Sequence, residues 1–167
     1  QKVFGLGEDA VKAQLQSITD DFAVAAAQTG MLYSAEIVKV VPDHLRDKEL
    51  PLVIDPVIEA EAGGRLLRPE AVQALKDHLF PLAQVVTPNI FEAEALSGVA
   101  VRDKESAVLA AGRILDAGAG AVIIKGGHLD CTDLLATKET SLFLPGKRVA
   151  GENHGVGCTY SAALTAY

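Results

Sequence analysis

The segment Gly155-Val156-Gly157-Cys158, followed by Thr159, Ser161, Ala162 and Ala163, is composed to bring backbone close to a ligand. Its two glycines remove the Cβ atoms that would hold a ligand off, and the small residues after them read as the start of a helix. Free N–H groups at such a start, with the positive end of the helix dipole behind them, stabilise the negative charge of a transferring phosphoryl group. Cys158 falls in the first turn, where the dipole favours thiolate. A depressed pKa there would let it accept a proton or contact a reacting hydroxyl. A plainer reading fits the same residues: a buried cysteine packed beneath a glycine turn, since Gly-x-Gly is common and free cysteines are mostly core. The motif needs company to decide between them.

The elements that would position this turn alternate between helical and extended patterns. Val11, Leu15 and Ile18 recur at helical spacing over Glu8 to Ile18, and Phe22 to Ala26 reads as a short strand before a turn at Gly30. Ser34 is a good N-cap for a helix carrying Ile37, Val38 and Val41, which Pro42 should kink or break. Leu52-Val53-Ile54 forms a β-branched run closed by Asp55-Pro56, and the residue before a proline is pushed towards extended geometry. Pro69 opens a helix with Leu75 and Leu79 on one face. Ala83 to Val86 reads as the next strand. Asn89, with Glu92 three residues on, has the spacing of a capping box.

A further helix is expected from about Asp103 to Ala117, ended by Gly118 and Gly120, and Ala121 to Lys125 is a continuous apolar strand running into Gly126-Gly127-His128. Thr132 to Val149 reads as edge strands or hairpins turning at Pro145-Gly146. The whole is an α/β chain with a mostly parallel sheet covered by helices on both faces. In such sheets ligands bind beyond the carboxyl ends of the strands, so Asp55, Asn89 and the loop from Lys125 to His128 should share one rim.

Bulk properties narrow the function. A chain of 167 residues fits one domain, given roughly 100 to 200 residues per domain. A formal net charge of −7, with no Lys/Arg run to offset it, repels nucleic-acid phosphates. Nucleic acid is excluded as a partner, whereas ATP can still be held by backbone N–H groups, a few cations and Mg²⁺. Two cysteines, Cys131 and Cys158, are too few for a disulfide scaffold, and the expected setting is a reducing cytoplasm. No apolar run approaches the roughly 20 residues needed to cross a bilayer, so no membrane partner is expected. The chain starts at Gln1 without Met and ends at Tyr167 inside a helical pattern, so sequence is expected to be missing at both ends.

Five separated motifs occur in order: Gly30-Met31-Leu32, Asp55-Pro56-Val57, Thr87-Pro88-Asn89-Ile90-Phe91-Glu92-Ala93-Glu94, Lys125-Gly126-Gly127-His128 and His154-Gly155-Val156-Gly157-Cys158-Thr159. Together they resemble the hydroxymethylpyrimidine/phosphomethylpyrimidine kinases of thiamine biosynthesis over nearly the whole chain. The resemblance implies a ribokinase-like fold and ATP-dependent phosphorylation of a small pyrimidine. It implies that Asn89 and Glu92 organise Mg²⁺, often through water, and that Asp55 is the strand-end acid near phosphates and metal, which makes Asp55 and Glu92 the metal-side carboxylates. Lys125 would neutralise nucleotide phosphates as a point cation. Met31, Val57 and His154 would face the pyrimidine. Each has a bland counterpart: a helix cap, a turn-forming Asp, a solvated Lys, a core Met, a loop His. Cys131 has no matching pattern. A homodimer is left open as the assembly.

Two departures stand out. Members of this family commonly carry Thr where Val156 stands, so a hydroxyl is lost, and Glu152 adds negative charge near the phosphate turn. The strand, Gly-rich segment and pyrimidine-bonding residues with which such kinases begin would lie upstream of Gln1, and the helices that enclose the base beyond Tyr167. Two other readings therefore stay open: a pyridoxal or hydroxyethylthiazole kinase, and a non-catalytic ligand-sensing domain with the kinase fold.

Overall fold

The computed structural model describes residues 3–59, 64, 66–127, 129–149 and 155–167. A six-stranded sheet runs through it in sequence order: β1 (Ala27–Thr29), β2 (Leu52–Ile54), β3 (Val85–Val86), β4 (Ala121–Ile124), β5 (Thr132–Ala136) and β6 (Ser141–Pro145). The first four are parallel, and β5 and β6 close the sheet as an antiparallel hairpin. Helix α1 (Glu8–Asp21) precedes β1, helices α2 (Ala35–Leu45), α3 (Pro69–Ala74), α4 (Ile90–Ser97) and α5 (Lys104–Asp116) lie between strands, and α6 (Val156–Ala166) follows β6. This is the α/β architecture expected from the sequence.

Register explains which residues meet. Thr29, Ile54, Val86 and Val122 are partners across the parallel strands, so their side chains share one face. That face joins Val38 and Val41 of α2, Ala71 and Leu75 around α3, and Ala110 and Ile114 of α5 in one buried cluster. Fully burying each such Leu, Ile or Val contributes about 1.5–3 kcal/mol. Alternation turns Thr87, one residue past Val86, to the opposite face, where its hydroxyl meets Ser161 of α6. The sheet thus has its packed core on one side and α6 on the other.

Four local expectations are corrected. Phe22 to Ala26 is not a strand: Phe22 caps α1 with an extended backbone, and the paired strand starts only at Ala27, where Pro51 and Leu52 become available as hydrogen-bond and register partners. Pro42 does not end α2. Its missing N–H costs the helix one bond, but Val38, Val40, Val41 and Pro42 are all buried, and the Arg46 N–H donates to the Pro42 carbonyl at 3.0 Å, so packing carries the helix through. The helix opened by Pro69 passes at Leu75–Leu79 into a π turn and at Phe80–Leu82 into a 3₁₀ turn, with Leu75 and Leu79 buried as anticipated. The β5–β6 turn lies at Thr137–Thr140, where the Glu139 and Thr140 amides donate to the Thr137 hydroxyl. Pro145 remains in β6, paired with Thr132.

Candidate functional site

Three strand ends deliver charged and polar groups to one place. Asp55 follows β2, its backbone extended before Pro56, and its side chain is only 3% exposed. Lys125 follows β4, tied to the end of β3 by its N–H donating to the Pro88 carbonyl at 2.8 Å and by a bridge to Asn89. Its Nζ stands 2.9 Å from Oδ1 of Asp55. A buried carboxylate needs such a partner, so the pair fixes both side chains.

Asn89 caps α4 as its spacing predicts: its Oδ1 accepts from the Glu92 N–H at 2.9 Å, and Glu92 Oε2 accepts from the Asn89 N–H at 2.8 Å. The Ile58 N–H reaches the other oxygen, Oε1, at 3.2 Å. Glu92 is therefore buried with both oxygens engaged. Burial pushes its pKa up; the Asn89 N–H and Lys125 pull it down, while the charge of Asp55 adds to the rise. The cap and a position beside the charged pair coexist in one residue.

The glycine turn arrives from α6. Gly155 has φ of 79°, a left-handed conformation that glycine adopts without strain, and the helix begins at Val156. A Cβ on Gly157 would lie 3.2 Å from Lys125 Nζ, closer than ordinary contact, so the turn rests directly against the ammonium. The first turn of α6 thus stands beside the Asp55–Lys125 pair. Cys158 is exposed, and its thiol is pushed up, not down: burial contributes most, then the negative charge of Asp55, against which Lys125 pulls only in part. A hydrogen bond to Asp55 raises it further. The depressed thiol expected from the helix start is corrected: burial first, and then the negative charges of Asp55 and Glu92, push it the other way.

The Lys125 loop is held by a residue that sequence reasoning missed. Asp133 of β5 accepts the Gly126 N–H at 2.7 Å, and a Cβ on Gly126 would collide with the Thr132 carbonyl. Tyr160 of α6 is pushed up to about 12 by burial, by the charge of Asp133 and by a hydrogen bond to it. Asp133 thus stands between the loop and the helix. In the sequence it is one polar residue in an alternating strand, with nothing local to mark it.

Met31, 42% exposed after β1, and Val57, half-buried after β2, lie at the same ends of the sheet. Val57 has φ of 42°, unusual for a β-branched residue and the kind of strain that collects at functional sites. His154, with Glu152, Asn153 and His128, lies outside the described residues. Cys131 lines a cavity with Gly127 of the Lys125 loop, and its carbonyl accepts the Gly146 N–H. Among the described residues no group of three or more His, Cys, Asp or Glu side chains is arranged to hold a metal. Asp55 and Glu92 offer hard oxygens, but with Lys125 on one and amides on the other they suit a hydrated ion brought in with phosphates rather than a dedicated cage.

A family model described as phosphomethylpyrimidine kinase matches residues 1–167. The chain is 43% identical over 165 residues to the hydroxymethylpyrimidine/phosphomethylpyrimidine kinase of Haemophilus influenzae, covering 93% of this chain and 61% of that protein. It is 40% identical over 172 residues to the pyridoxine kinase of Bacillus subtilis, covering 99% of this chain and 64% of that protein. Among solved structures, an ADP complex of Bacillus subtilis pyridoxal kinase superposes with a TM-score of 0.89 at 40% identity, covering 99% of this chain and 64% of that one. The chain thus spans less than two thirds of the length of these relatives.

Proposed function

This chain belongs to the phosphomethylpyrimidine kinase family, and from that membership we propose that its rim is the phosphoryl-transfer half of an ATP-dependent kinase acting on hydroxymethylpyrimidine or its monophosphate, in thiamine biosynthesis. The observation that carries the reading is the approach of Gly157 to the Lys125 ammonium, close enough that a Cβ there would lie 3.2 Å from Nζ, with that ammonium itself paired to Asp55. An amide turn and a cation converge there, as the charge on a transferring phosphoryl group requires.

In this reading the substrate hydroxyl, or a phosphate oxygen where the monophosphate is the substrate, attacks the γ-phosphorus. The bond from that phosphorus to the β–γ bridging oxygen breaks, ADP leaves with the electron pair, and a hydroxyl proton passes to the transferred phosphate or to solvent. Such transfers pass through a loose transition state, so positioning and charge stabilisation do most of the work. The amides of Gly155, Val156, Gly157 and Cys158 hold the migrating group. Val156 is 58% exposed, and a cradle that works through backbone N–H groups tolerates the hydroxyl it lacks. Lys125 neutralises phosphate charge, and Asp55 holds Lys125 in place. The Cys158 thiol, protonated near neutral pH, is a hydrogen-bonding contact of the reacting hydroxyl rather than a thiolate base. Magnesium, when bound, would neutralise charge on the phosphate oxygens. Asp55 and the Asn89–Glu92 element would hold it through its waters. Met31, Val57 and His154 are the proposed pyrimidine contacts. The proposed setting is the cytoplasm, with no helix among the described residues long and apolar enough to cross a membrane.

A pyridoxal substrate is the second reading, supported by the likeness to a pyridoxal kinase. The test is ADP release by the full-length protein with Mg-ATP and, separately, hydroxymethylpyrimidine, its monophosphate, pyridoxal and hydroxyethylthiazole. Preference for pyridoxal or the thiazole removes the pyrimidine assignment. Calorimetric binding of a ligand without any turnover makes the chain a sensor with a kinase fold.

A further inference from the structure

Thr87 and Ser161 are hydroxyl residues, both 0% exposed, and 74 positions apart in the chain. Their oxygens are 2.8 Å apart. Buried hydroxyls are costly unless paired, and each has a single proton to donate. Ser161 Oγ donates to the Gly157 carbonyl at 3.1 Å. Thr87 Oγ1 also lies 3.4 Å from the Ile54 carbonyl, which accepts the Thr87 N–H at 2.9 Å. With the Ser161 proton on the Gly157 carbonyl, the shorter of the two carbonyl contacts, the Thr87 hydroxyl donates to Ser161 across the 2.8 Å contact. Chains of this kind polarise one another and strengthen.

The chain ends on one peptide. Gly157 carbonyl and Cys158 N–H belong to the same planar trans unit, so pinning the carbonyl sets the direction of the N–H. That N–H precedes the first helical bond, which runs from the Thr159 N–H to the Gly155 carbonyl at 2.9 Å, so the helix does not use it. At the other end, Thr87 lies between Ile54, which precedes Asp55, and Asn89. The two hydroxyls therefore join the strand ends that carry the charged groups to the turn that meets them.

We infer that the Thr87–Ser161 pair is a positioning device for the phosphoryl-binding turn, fixing the Gly157–Cys158 peptide so that the Cys158 amide faces the transferring group. The inference rests on the kinase reading above, and it assigns to Thr87 and Ser161 no contact with substrate. Packing and positioning make opposite demands at Thr87. Valine keeps its volume and loses the hydroxyl, whereas serine keeps the hydroxyl and loses a methyl.

The experiment uses the full-length protein and the variants Thr87→Val, Thr87→Ser, Ser161→Ala and the double Thr87→Val/Ser161→Ala. Expected are a kcat about tenfold lower for Thr87→Val and Ser161→Ala, the size of one lost hydrogen bond, and no further loss in the double variant. Thr87→Ser stays near the parent, and the KM for hydroxymethylpyrimidine is unchanged throughout. In ligand-free protein the ¹⁵N-resolved Cys158 amide signal should move in Thr87→Val and Ser161→Ala but not in Thr87→Ser. Equal losses in Thr87→Ser and Thr87→Val make the site a packing position and overturn the inference, as does an unmoved Cys158 amide. If Thr87→Val does not fold, Ser161→Ala against Thr87→Ser decides in the same way. A parent protein that turns over none of the candidate substrates fails the kinase reading itself, and the inference falls with it.

Discussion

Replacing Lys125 with methionine keeps most of the side-chain volume and removes the charge beside Asp55. The two groups are 2.9 Å apart with side-chain exposures of 15% and 3%. At an effective dielectric constant of about 20 the Coulomb attraction is about 6 kcal/mol, much of it cancelled by the cost of desolvating both ions. Breaking a buried pair from one side typically costs about 3–5 kcal/mol. Lys125 keeps some contact with water, so the lower end, about 3 kcal/mol, is the expected loss. Removing Asp55 as well, in Asp55→Asn/Lys125→Met, takes away the stranded charge and should return the loss to about 1 kcal/mol. Catalysis should not follow stability. If Lys125 neutralises the transferring phosphoryl group, kcat falls by at least about a hundredfold in the single and double variants alike, equivalent to about 2.7 kcal/mol in the barrier. Urea unfolding at pH 7 with linear extrapolation reads the first quantity, and steady-state ADP release the second. Recovery of both in the double variant would show that Lys125 serves only as a counterion to Asp55, and a Lys125→Met protein as stable as its parent would show that the pair is not formed.

Ala at position 157 gains up to about 1 kcal/mol of helix propensity but places its Cβ 3.2 Å from Lys125 Nζ; the protein should melt no lower while kcat drops about tenfold, and unchanged kcat would detach the turn from the cation. Gly126→Ala sets a Cβ against the Thr132 carbonyl, which is backbone and cannot swing away, so loss of soluble protein is expected, and normal expression would refute the close approach. Because its pKa is raised, Cys158 keeps its proton through neutral pH and releases it only in the alkaline range, the more so once Lys125 is gone; iodoacetamide should modify it more slowly at pH 8 than it modifies a free cysteine, and thiolate absorbance at pH 7 would contradict this. Glu92→Gln must turn an NH₂ towards either the Asn89 or the Ile58 N–H in a site 5% exposed, costing about 1–3 kcal/mol in urea unfolding, with no loss expected only if a bound water separates the donors.

Features fixed within a few residues were readable from the sequence, and features fixed across the fold were not. The Asn89–Glu92 box is complete within four positions and formed as its spacing implied, as did the Ser34 cap of α2. The strand end at Asp55 was visible because Pro56 constrains the residue before it. By contrast, β1 was placed several residues early: the apolar residues after α1 carry no mark of register, which is set by pairing with Leu52 to Ile54. Pro42 shows a local rule giving way, since the helix it should break is held by burial on its apolar face. Asp133 and the Thr87–Ser161 pair were invisible for the same reason: their partners are supplied by the sheet and α6.

The thiol illustrates the difference most sharply, because the local and the tertiary effects oppose each other there. A helix start favours thiolate, and that much follows from Gly155-Val156-Gly157-Cys158 alone. The fold partly buries the sulfur, adds the negative charges of Asp55 and Glu92 and leaves Lys125 already engaged with Asp55, so the side chains at the rim offer a phosphate little net positive charge. A thiolate would place one more negative charge where the phosphoryl group must pass. Keeping Cys158 protonated removes that repulsion and leaves the turn's amides as the main attraction. In the proposed cradle, backbone geometry at Gly155, Gly157 and the peptide between Gly157 and Cys158 then matters more than the side chain that Val156 exposes.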